Sequence, residues 1–309
     1  MKGPLFYAKI LLFGEYGIIK DSKGLSIPYN YYRGALQFSS TFTPVQKESN
    51  ENLQRYFEYL KTVPTSLVTF DLNRFEKDLK DGLYFDSSIP QGYGVGSSGA
   101  LVASVYERYA QEKITVLENL TKDKLQQLKA IFATMESFFH GKSSGLDPLN
   151  SYLSLPLLIN SKVHIEPTGI PSQNPEGKGA VFLLDSGATG ETAPMVEIFM
   201  ENMKKASFSR MMQEQFTRYT DACVEDFLSA DFKGLFQNVK ALSRLVLKNF
   251  KPMIPQQFQS LWERGIETNA YFLKLCGSGG GGYILGFTPD LEKARKELHN
   301  FDLEVVYYL

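Results

Sequence analysis

Between residues 90 and 100 the chain reads Pro90-Gln-Gly-Tyr-Gly-Val-Gly-Ser-Ser-Gly-Ala100. Glycine lets backbone amides face inward and approach an anion with no Cβ in the way. Ser97 to Gln111 has helical periodicity, and a helix starting there adds free N–H groups and a positive dipole end. Ser97 and Ser98 add hydroxyls that can reach a phosphate or a magnesium ion. The stretch reads as a loop that wraps a polyphosphate. Two rivals share its glycines. Residues 94–99 spell G-x-G-x-x-G, with Glu118 about 20 residues on, as in dinucleotide-binding folds. The strand before it, Phe85-Asp-Ser-Ser-Ile, is short and polar, unlike the opening of such a fold. A Walker A loop would continue into Gly-Lys-Ser/Thr, which is absent here. The bland alternative is a plain glycine turn, against which the length and the paired serines weigh.

Upstream, Leu5–Phe13 is apolar and strand-like, Tyr16–Ile19 suggests a second strand, and Asp21-Ser-Lys-Gly24 is a turn signal. Leu25–Tyr32 and Ala35–Phe42 continue an antiparallel pattern, so a β-meander is expected over the first 45 residues. Segments 47–62 and 73–81 are charged and helical, and Tyr84–Ile89 is a short strand. Downstream, Leu120–His140 has Leu125, Leu128, Ile131 and Phe132 on one side of a helix, and position 145 begins a turn, SGLDPLN. Val163–Thr168 reads as a strand and Pro171–Lys178 as a polar connection, which places a domain boundary there. The second half opens on a buried-type strand, Ala180–Leu184. Helices over 193–220 and 234–250 follow, then strands at Ala270–Leu275 and Tyr283–Gly286, a helix at 290–299 and a last strand at Leu303–Tyr308. The aromatic and aliphatic stripes of the two long helices read as core.

Three further stretches carry chemistry. In Lys9-Ile-Leu-Leu-Phe-Gly-Glu-Tyr16, a lysine opens an apolar strand, a position where lysine usually snorkels at an edge. In Met135-Glu136…His140-Gly-Lys-Ser-Ser-Gly-Leu-Asp147, Glu136 falls at the end of a helix and Ser144-Gly145 makes the turn that presents Asp147. Two such acids can divide labour, one holding a metal ion and the other receiving a substrate proton; the alternative is a helix-terminal charge and an Asp turn. Lys274-Leu-Cys-Gly-Ser-Gly-Gly-Gly-Gly282 has five glycines in six positions between two strand signals. Glycine weakens a strand, so close approach of the backbone to a ligand accounts for the run better than a linker does.

Composition excludes several classes. The 33 basic and 34 acidic residues balance to a net charge of −1, with no electrostatic case for nucleic acid or an anionic membrane. No window approaches the roughly 18 apolar residues of a membrane span, and no secretory leader pattern opens the chain, so a cytoplasmic protein is expected. Cys223 and Cys276 are too few and too far apart for a disulfide framework or a zinc site, and His140, His164 and His299 offer no helical ligand pair.

Taken in order, Lys-x-x-x-Phe-Gly-Glu, Pro-x-Gly-x-Gly-x-Gly-Ser-Ser, Ser-Gly-x-Asp and Lys-Leu-x-Gly-x-Gly-Gly-Gly-Gly resemble the motifs of the GHMP kinase superfamily, from Lys9 to Gly282. Within it, Phe13-Gly-Glu15, Phe139-His-Gly-Lys-Ser-Ser-Gly-Leu-Asp147 and Leu184-Asp-Ser-Gly187 look most like the mevalonate kinases. The resemblance implies an α+β fold of two domains. Residues 1–175 would form an ATP-binding domain like ribosomal protein S5 domain 2, and residues 176–309 a ferredoxin-like domain, with ATP and substrate in the cleft between them. It implies ATP and Mg²⁺ as cofactors and a small-molecule alcohol as partner, with the primary hydroxyl of mevalonate as acceptor, in a monomer or homodimer.

By matched position, Asp147 would be the catalytic base, with Lys9 beside it and the acceptor. Gly92, Gly94, Gly96, Ser97 and Ser98 would hold the ATP phosphates, and Ser98 and Glu136 would hold magnesium. Glu15, Tyr16, Ser186, Gly279 and Gly280 would lie on the substrate side. The chain departs from the family pattern in three places, one of them the turn Asp21-Ser-Lys-Gly24 in place of the family's valine- and histidine-containing stretch. Tyr16 stands where mevalonate kinases usually have His, and Ser-Ser-Gly-Ala replaces Ser-Ser-Ala-Ala. Phosphomevalonate kinase, a sugar kinase and diphosphomevalonate decarboxylase are the rival enzymes of the superfamily, and a nucleotide-binding sensor without turnover and a Rossmann oxidoreductase are the rivals of other classes. The galactokinase start Gly-Glu-His-Thr-Asp is not matched by Gly14-Glu-Tyr-Gly17.

Overall fold

The structure is a computed structural model, and it describes residues 4–115, 120–161 and 163–309. Glu118 therefore lies outside the described residues. In chain order the first half contains β1 (Phe6–Phe13), β2 (Gly24–Phe38), α1 (Pro44–Leu60), α2 (Leu72–Lys80), β3 (Leu83–Ser87), α3 (Ser97–Tyr109), α4 (Lys122–His140), α5 (Leu146–Leu153), β4 (Leu157–Ser161) and β5 (His164–Pro167). The second half contains β6 (Ala180–Asp185), α6 (Thr192–Met203), α7 (Ala206–Met211), α8 (Thr217–Leu228), α9 (Phe232–Asn249), α10 (Gln256–Thr268), β7 (Phe272–Leu275), β8 (Tyr283–Thr288), α11 (Leu291–Glu297) and β9 (Leu303–Tyr308).

Contacts gather the chain into two compact units. The first comprises Met1–Lys9, Ile27–Pro90 and Gly96–Leu155; the second comprises Ile10–Ser26, Gln91–Val95 and Pro156–Leu309. This grouping is interleaved along the chain, because β1, β2 and the glycine loop each pass from one unit to the other.

In the first unit, β2 pairs antiparallel with β3, from Gly34 opposite Ser87 to Phe38 opposite Leu83. Gly34 does not divide two strands, as the separate stretches Leu25–Tyr32 and Ala35–Phe42 suggest. The ring of Phe85 fills the space where its side chain would be, Cζ lying 2.2 Å from an ideal Cβ, and the strand runs through. Helices start where side chains can take their first amides: Thr43 and Gln46 form a reciprocal capping box on α1, and Asp71 and Thr121 cap α2 and α4. The apolar stripe expected on α4 is buried, Leu125, Leu128, Ile131 and Phe132 all being at most 3% exposed. It meets an aromatic core in which Phe75 stacks on Tyr109 at 4.1 Å and Tyr106 packs edge-on against Phe132 at 5.0 Å.

In the second unit the sheet order is β7-β8-β6-β9, antiparallel throughout. Helices connect β6 to β7, and α11 connects β8 to β9, so the unit is a split βαβ arrangement of the ferredoxin-like kind. Central β6 is an unbroken apolar run buried from Ala180 to Leu184, as a strand covered on both faces must be. Also in this unit, β4 pairs with residues Gly24–Ser26 and with β5.

Several expectations change. Tyr16–Ile19 is not a strand: Gly14 and Tyr16 both have positive φ, which turns the chain into a 3-10 segment, Gly17–Lys20. The segment SGLDPLN is the start of a helix, α5, with Gly145 as its N-cap. The long helix over 193–220 breaks after α6 and passes through a π-helical turn, Met212–Phe216, before α8. Strand β4 and helix α10, which begin directly after Pro156 and Pro255, add to the elements expected from the sequence. Cys223 and Cys276 are both free thiols and both buried, and no described helix is long and apolar enough to cross a membrane.

Candidate active site

In the first unit, four elements bring Lys9, Ser98, Glu136 and Asp147 together. Lys9 comes from β1. It does not snorkel: it is 4% exposed, and its Nζ lies 2.9 Å from Asp147 Oδ1. Ser98 stands in the first turn of α3, after Gly96, an N-cap in the left-handed region with no side-chain cap of its own among the described residues. Glu136 stands one turn before the end of α4, buried at 3% exposure. Asp147 opens α5.

Two close approaches hold α5 in place. A Cβ on Gly145 would fall 2.3 Å from the Lys129 carbonyl oxygen and 2.6 Å from the Ala133 nitrogen, so α5 begins flush against α4. A Cβ on Gly99 would fall 2.7 Å from the Asp147 carbonyl carbon and 2.8 Å from the Pro148 nitrogen, so α3 and α5 touch at the residue that carries the acid. Backbone cannot yield as a side-chain tip can. Gly99→Ala is therefore expected to displace Asp147 by several tenths of an ångström, lowering kcat about 10- to 100-fold and stability by about 1–3 kcal/mol. Turnover and thermal unfolding of the purified variant check this, and wild-type kcat would refute it.

The cluster is polar inside and joined by hydrogen bonds. Ser98 Oγ donates to Glu136 Oε1 at 3.0 Å and lies 3.0 Å from His140 Nε2, while Ser143 donates to Glu136 Oε2. Burial, and after it the negative charge of Asp147, raises the Glu136 carboxyl to about 7, against the opposing pull of Ser143, Ser98 and Lys9. A buried carboxyl raised in this way beside a second carboxylate marks a candidate functional site, where a further positive charge would favour its ionised form. The donors suit Mg²⁺, which takes hard oxygens and is commonly bound through one or two carboxylates with phosphate and water completing the set. Among the described residues no three His, Cys, Asp or Glu side chains gather into a metal cage, so phosphate oxygens would have to share such an ion. His140 and Ser143 were not singled out from the sequence, although both lie inside the stretch that carries Asp147.

The remaining candidates belong to the second unit. Gly92 and Gly94 pack backbone against backbone: Gly190 N–H donates to the Gly92 carbonyl at 2.9 Å, and a Cβ on Gly94 would meet the Cys276 carbonyl oxygen at 2.7 Å. Gly279 and Gly280 are similarly hemmed in by Met253 and Met195. Much of the glycine run thus serves the close contact of loops, in addition to any ligand. The Ser186 hydroxyl donates to the Ala188 carbonyl at 3.0 Å. Glu15 is buried against Lys274, with Oε2 and Nζ 2.6 Å apart. Tyr16 is locked by a hydrogen bond from its hydroxyl to the Ser278 carbonyl at 2.7 Å and by the rings of Phe199 and Phe250, at 4.6 and 5.8 Å. Burial, and then the charge of Glu15, pushes the Tyr16 phenol well above its ordinary value. The sequence did not single out Lys274 as the partner of Glu15; a lysine in the otherwise apolar strand Phe272–Leu275 was the available signal.

Residues 64–154 match the family model of the GHMP kinases N terminal domain. No curated protein matches the chain in sequence. Three solved structures resemble it throughout. L. major mevalonate kinase in complex with R-mevalonate has a TM-score of 0.65 at 17% identity, covering 100% of this chain and 96% of that one. Streptococcus pneumoniae phosphomevalonate kinase in complex with phosphomevalonate and AMPPNP has a TM-score of 0.60 at 15% identity, covering 98% of each. Lactococcus lactis galactokinase complexed with galactose has a TM-score of 0.65 at 10% identity, covering 98% and 92%. The chain thus shares the fold of these kinases, and its residues 64–154 match the GHMP kinases N terminal domain model. Within the class its likeness runs mainly to the mevalonate kinases, which recur among the similar structures.

Proposed function

We propose that the chain is an ATP- and Mg²⁺-dependent kinase that phosphorylates the primary hydroxyl of mevalonate. The observation that carries this reading is the cluster of Lys9, Asp147, Glu136 and Ser98, in which a base and a cation stand beside a buried carboxyl and a hydroxyl. Phosphoryl transfer asks a protein for positioning and charge neutralisation more than for covalent help. Asp147, the more exposed of its pair with Lys9 at 37% against 5%, would take the proton of the acceptor hydroxyl. Lys9 would orient that carboxylate and offset charge on the moving phosphoryl group. Ser98 and Glu136 would hold Mg²⁺, which supplies charge neutralisation to the phosphates when bound. Gly92, Gly94, Gly96 and Ser97 would present backbone amides and a hydroxyl to the phosphates. Glu15, Tyr16, Ser186, Gly279 and Gly280 would shape the acceptor's surroundings, with residues 1–175 and 176–309 as the two domains.

Structures of this fold carry mevalonate, phosphomevalonate and galactose in the matches above, so the acceptor is what must be tested. The measurement is ADP release with Mg-ATP and mevalonate, phosphomevalonate, homoserine, galactose or a heptose phosphate. Mevalonate alone is expected to drive turnover. Release with another acceptor only would keep the roles of Asp147 and Lys9 and discard mevalonate; tight ATP binding with no turnover would favour a sensor.

A further inference from the structure

The second unit has a small, partly open cavity, walled in part by Tyr16, to which the proposed reaction assigns no step. It offers about 20 Å³ to the centre of a water-sized sphere, and Glu15, Tyr16, Phe216, Thr220 and Lys274 are among the residues that wall it. Two polar atoms on this wall, Glu15 Oε1 and Thr220 Oγ1, have no hydrogen-bond partner among the described residues. Both residues are at least nine-tenths buried, Thr220 at 1% exposure and Glu15 at 9%. Lys274 commits one N–H to Glu15 Oε2 at 2.6 Å and another to the Leu275 carbonyl at 2.9 Å, and an ammonium has three to give.

Two departures from regular backbone converge on the same cavity. Tyr16 holds a φ of 59°, where a residue with a side chain rarely sits. Phe216 is the last residue of the π-helical turn Met212–Phe216, and the Thr217 hydroxyl donates to the Met212 carbonyl at 2.9 Å. Such turns recur where a helix is shaped for a purpose beyond packing.

We propose that the cavity binds one water molecule, which donates to Glu15 Oε1 and Thr220 Oγ1 and accepts from Lys274, and that this cluster positions the glycine run Gly277–Gly282. The volume exceeds the roughly 10–15 Å³ that one water needs, and three polar partners are what a buried water takes. A monovalent cation would face the ammonium of Lys274 with two uncommitted side-chain oxygens; an anion would face Glu15. The positioning follows from where the cluster is attached. Lys274 leads directly into the run, and Tyr16, next to Glu15, donates to Ser278 within it. The turn at Glu15 and Tyr16 therefore grips the run at its root and near its start. The effect on turnover rests on the kinase reading above; the water site does not.

A crystal structure of the wild-type protein at high resolution tests the site, with or without catalytic activity. A peak at water hydrogen-bonding distances from Glu15 Oε1, Thr220 Oγ1 and Lys274 Nζ is expected. Absence of a peak, with Thr220 turned onto a helix carbonyl, would overturn the site, and a peak ringed by five or six oxygens would replace water with a cation. Thr220→Val removes the hydroxyl at nearly constant shape and Thr220→Ser keeps it. The valine variant is expected to raise the KM for the acceptor about tenfold with the KM for ATP unmoved, and the serine variant to restore it. Unchanged acceptor KM in Thr220→Val, or a loss confined to thermal stability, would overturn the positioning role. A water peak in a protein inactive toward every acceptor would support the site while sinking the kinase reading.

Discussion

Asp147→Asn is expected to lower kcat by about 10²–10⁴-fold, the share that a general base contributes, while Mg-ATP still binds. The substitution keeps the volume and the helical position of the side chain, so α5 should remain seated between Gly99 and Gly145, and the loss can be assigned to chemistry. It removes a group that can take the acceptor's proton and one charge partner of the buried Lys9. It also carries a second consequence that a mere misfolding would not produce. Asp147 is, after burial, the cause that raises Glu136. With a neutral amide at 147, Glu136 should titrate lower, and the pH below which Mg-ATP binding weakens should fall with it. Single-turnover kinetics give the first quantity and nucleotide titrations across pH give the second. Near-normal turnover would remove Asp147 from the role of base. Lost turnover with an unmoved binding profile would instead separate Asp147 from Glu136, contradicting the charge coupling on which the cluster rests.

How far these residues were legible in the sequence differs between them. Lys9, Ser98, Glu136 and Asp147 sit in stretches whose oddities are local: a lysine in an apolar strand, serines after glycines, an acid after a Ser-Gly turn. The structure brings them together in one cluster, and their proximity could not be read without it, since β1, α3, α4 and α5 meet only through tertiary packing. Gly99 was legible as part of the glycine-rich stretch at the start of a helix but not as the contact between α3 and α5, because the atoms it must avoid belong to residues far along the chain. The Glu15–Lys274 pair joins residues 259 positions apart, and nothing near either one announces the other. Local reading failed where a residue's usual meaning was overridden. Gly34 suggests a break but lies beneath a ring, and Tyr16 favours a strand by type but is held at positive φ by its hydroxyl and two aromatic neighbours. In each case tertiary packing outweighed intrinsic preference.

Glu136→Gln should abolish Mg²⁺-dependent turnover and, in metal-free protein, make the fold more stable above neutrality. These opposite signs share one cause. The folded state holds the Glu136 carboxyl at about 7, against 4.5 for an ordinary one, mainly through burial. Between those two values the folded protein binds a proton that the unfolded chain has released. Stability therefore falls as pH rises through that window, and above it the folded protein carries the full cost of a buried carboxylate without its metal. A shift of that size corresponds to something on the order of 3 kcal/mol. The glutamine amide bears no charge and has no such window. It can still accept from one of Ser98 and Ser143 while donating to the other, since a hydroxyl can do either. Urea unfolding of both proteins in chelator should therefore show the variant gaining on wild type as pH rises from 4.5 to about 7, and little difference in the acid limit. A divalent cation with nucleotide should reverse the order, because it binds the folded carboxylate and releases the proton. Parallel stability curves in chelator would mean that Glu136 is not held in a buried, metal-seeking state, and the assignment of Mg²⁺ to Ser98 and Glu136 would fall with it.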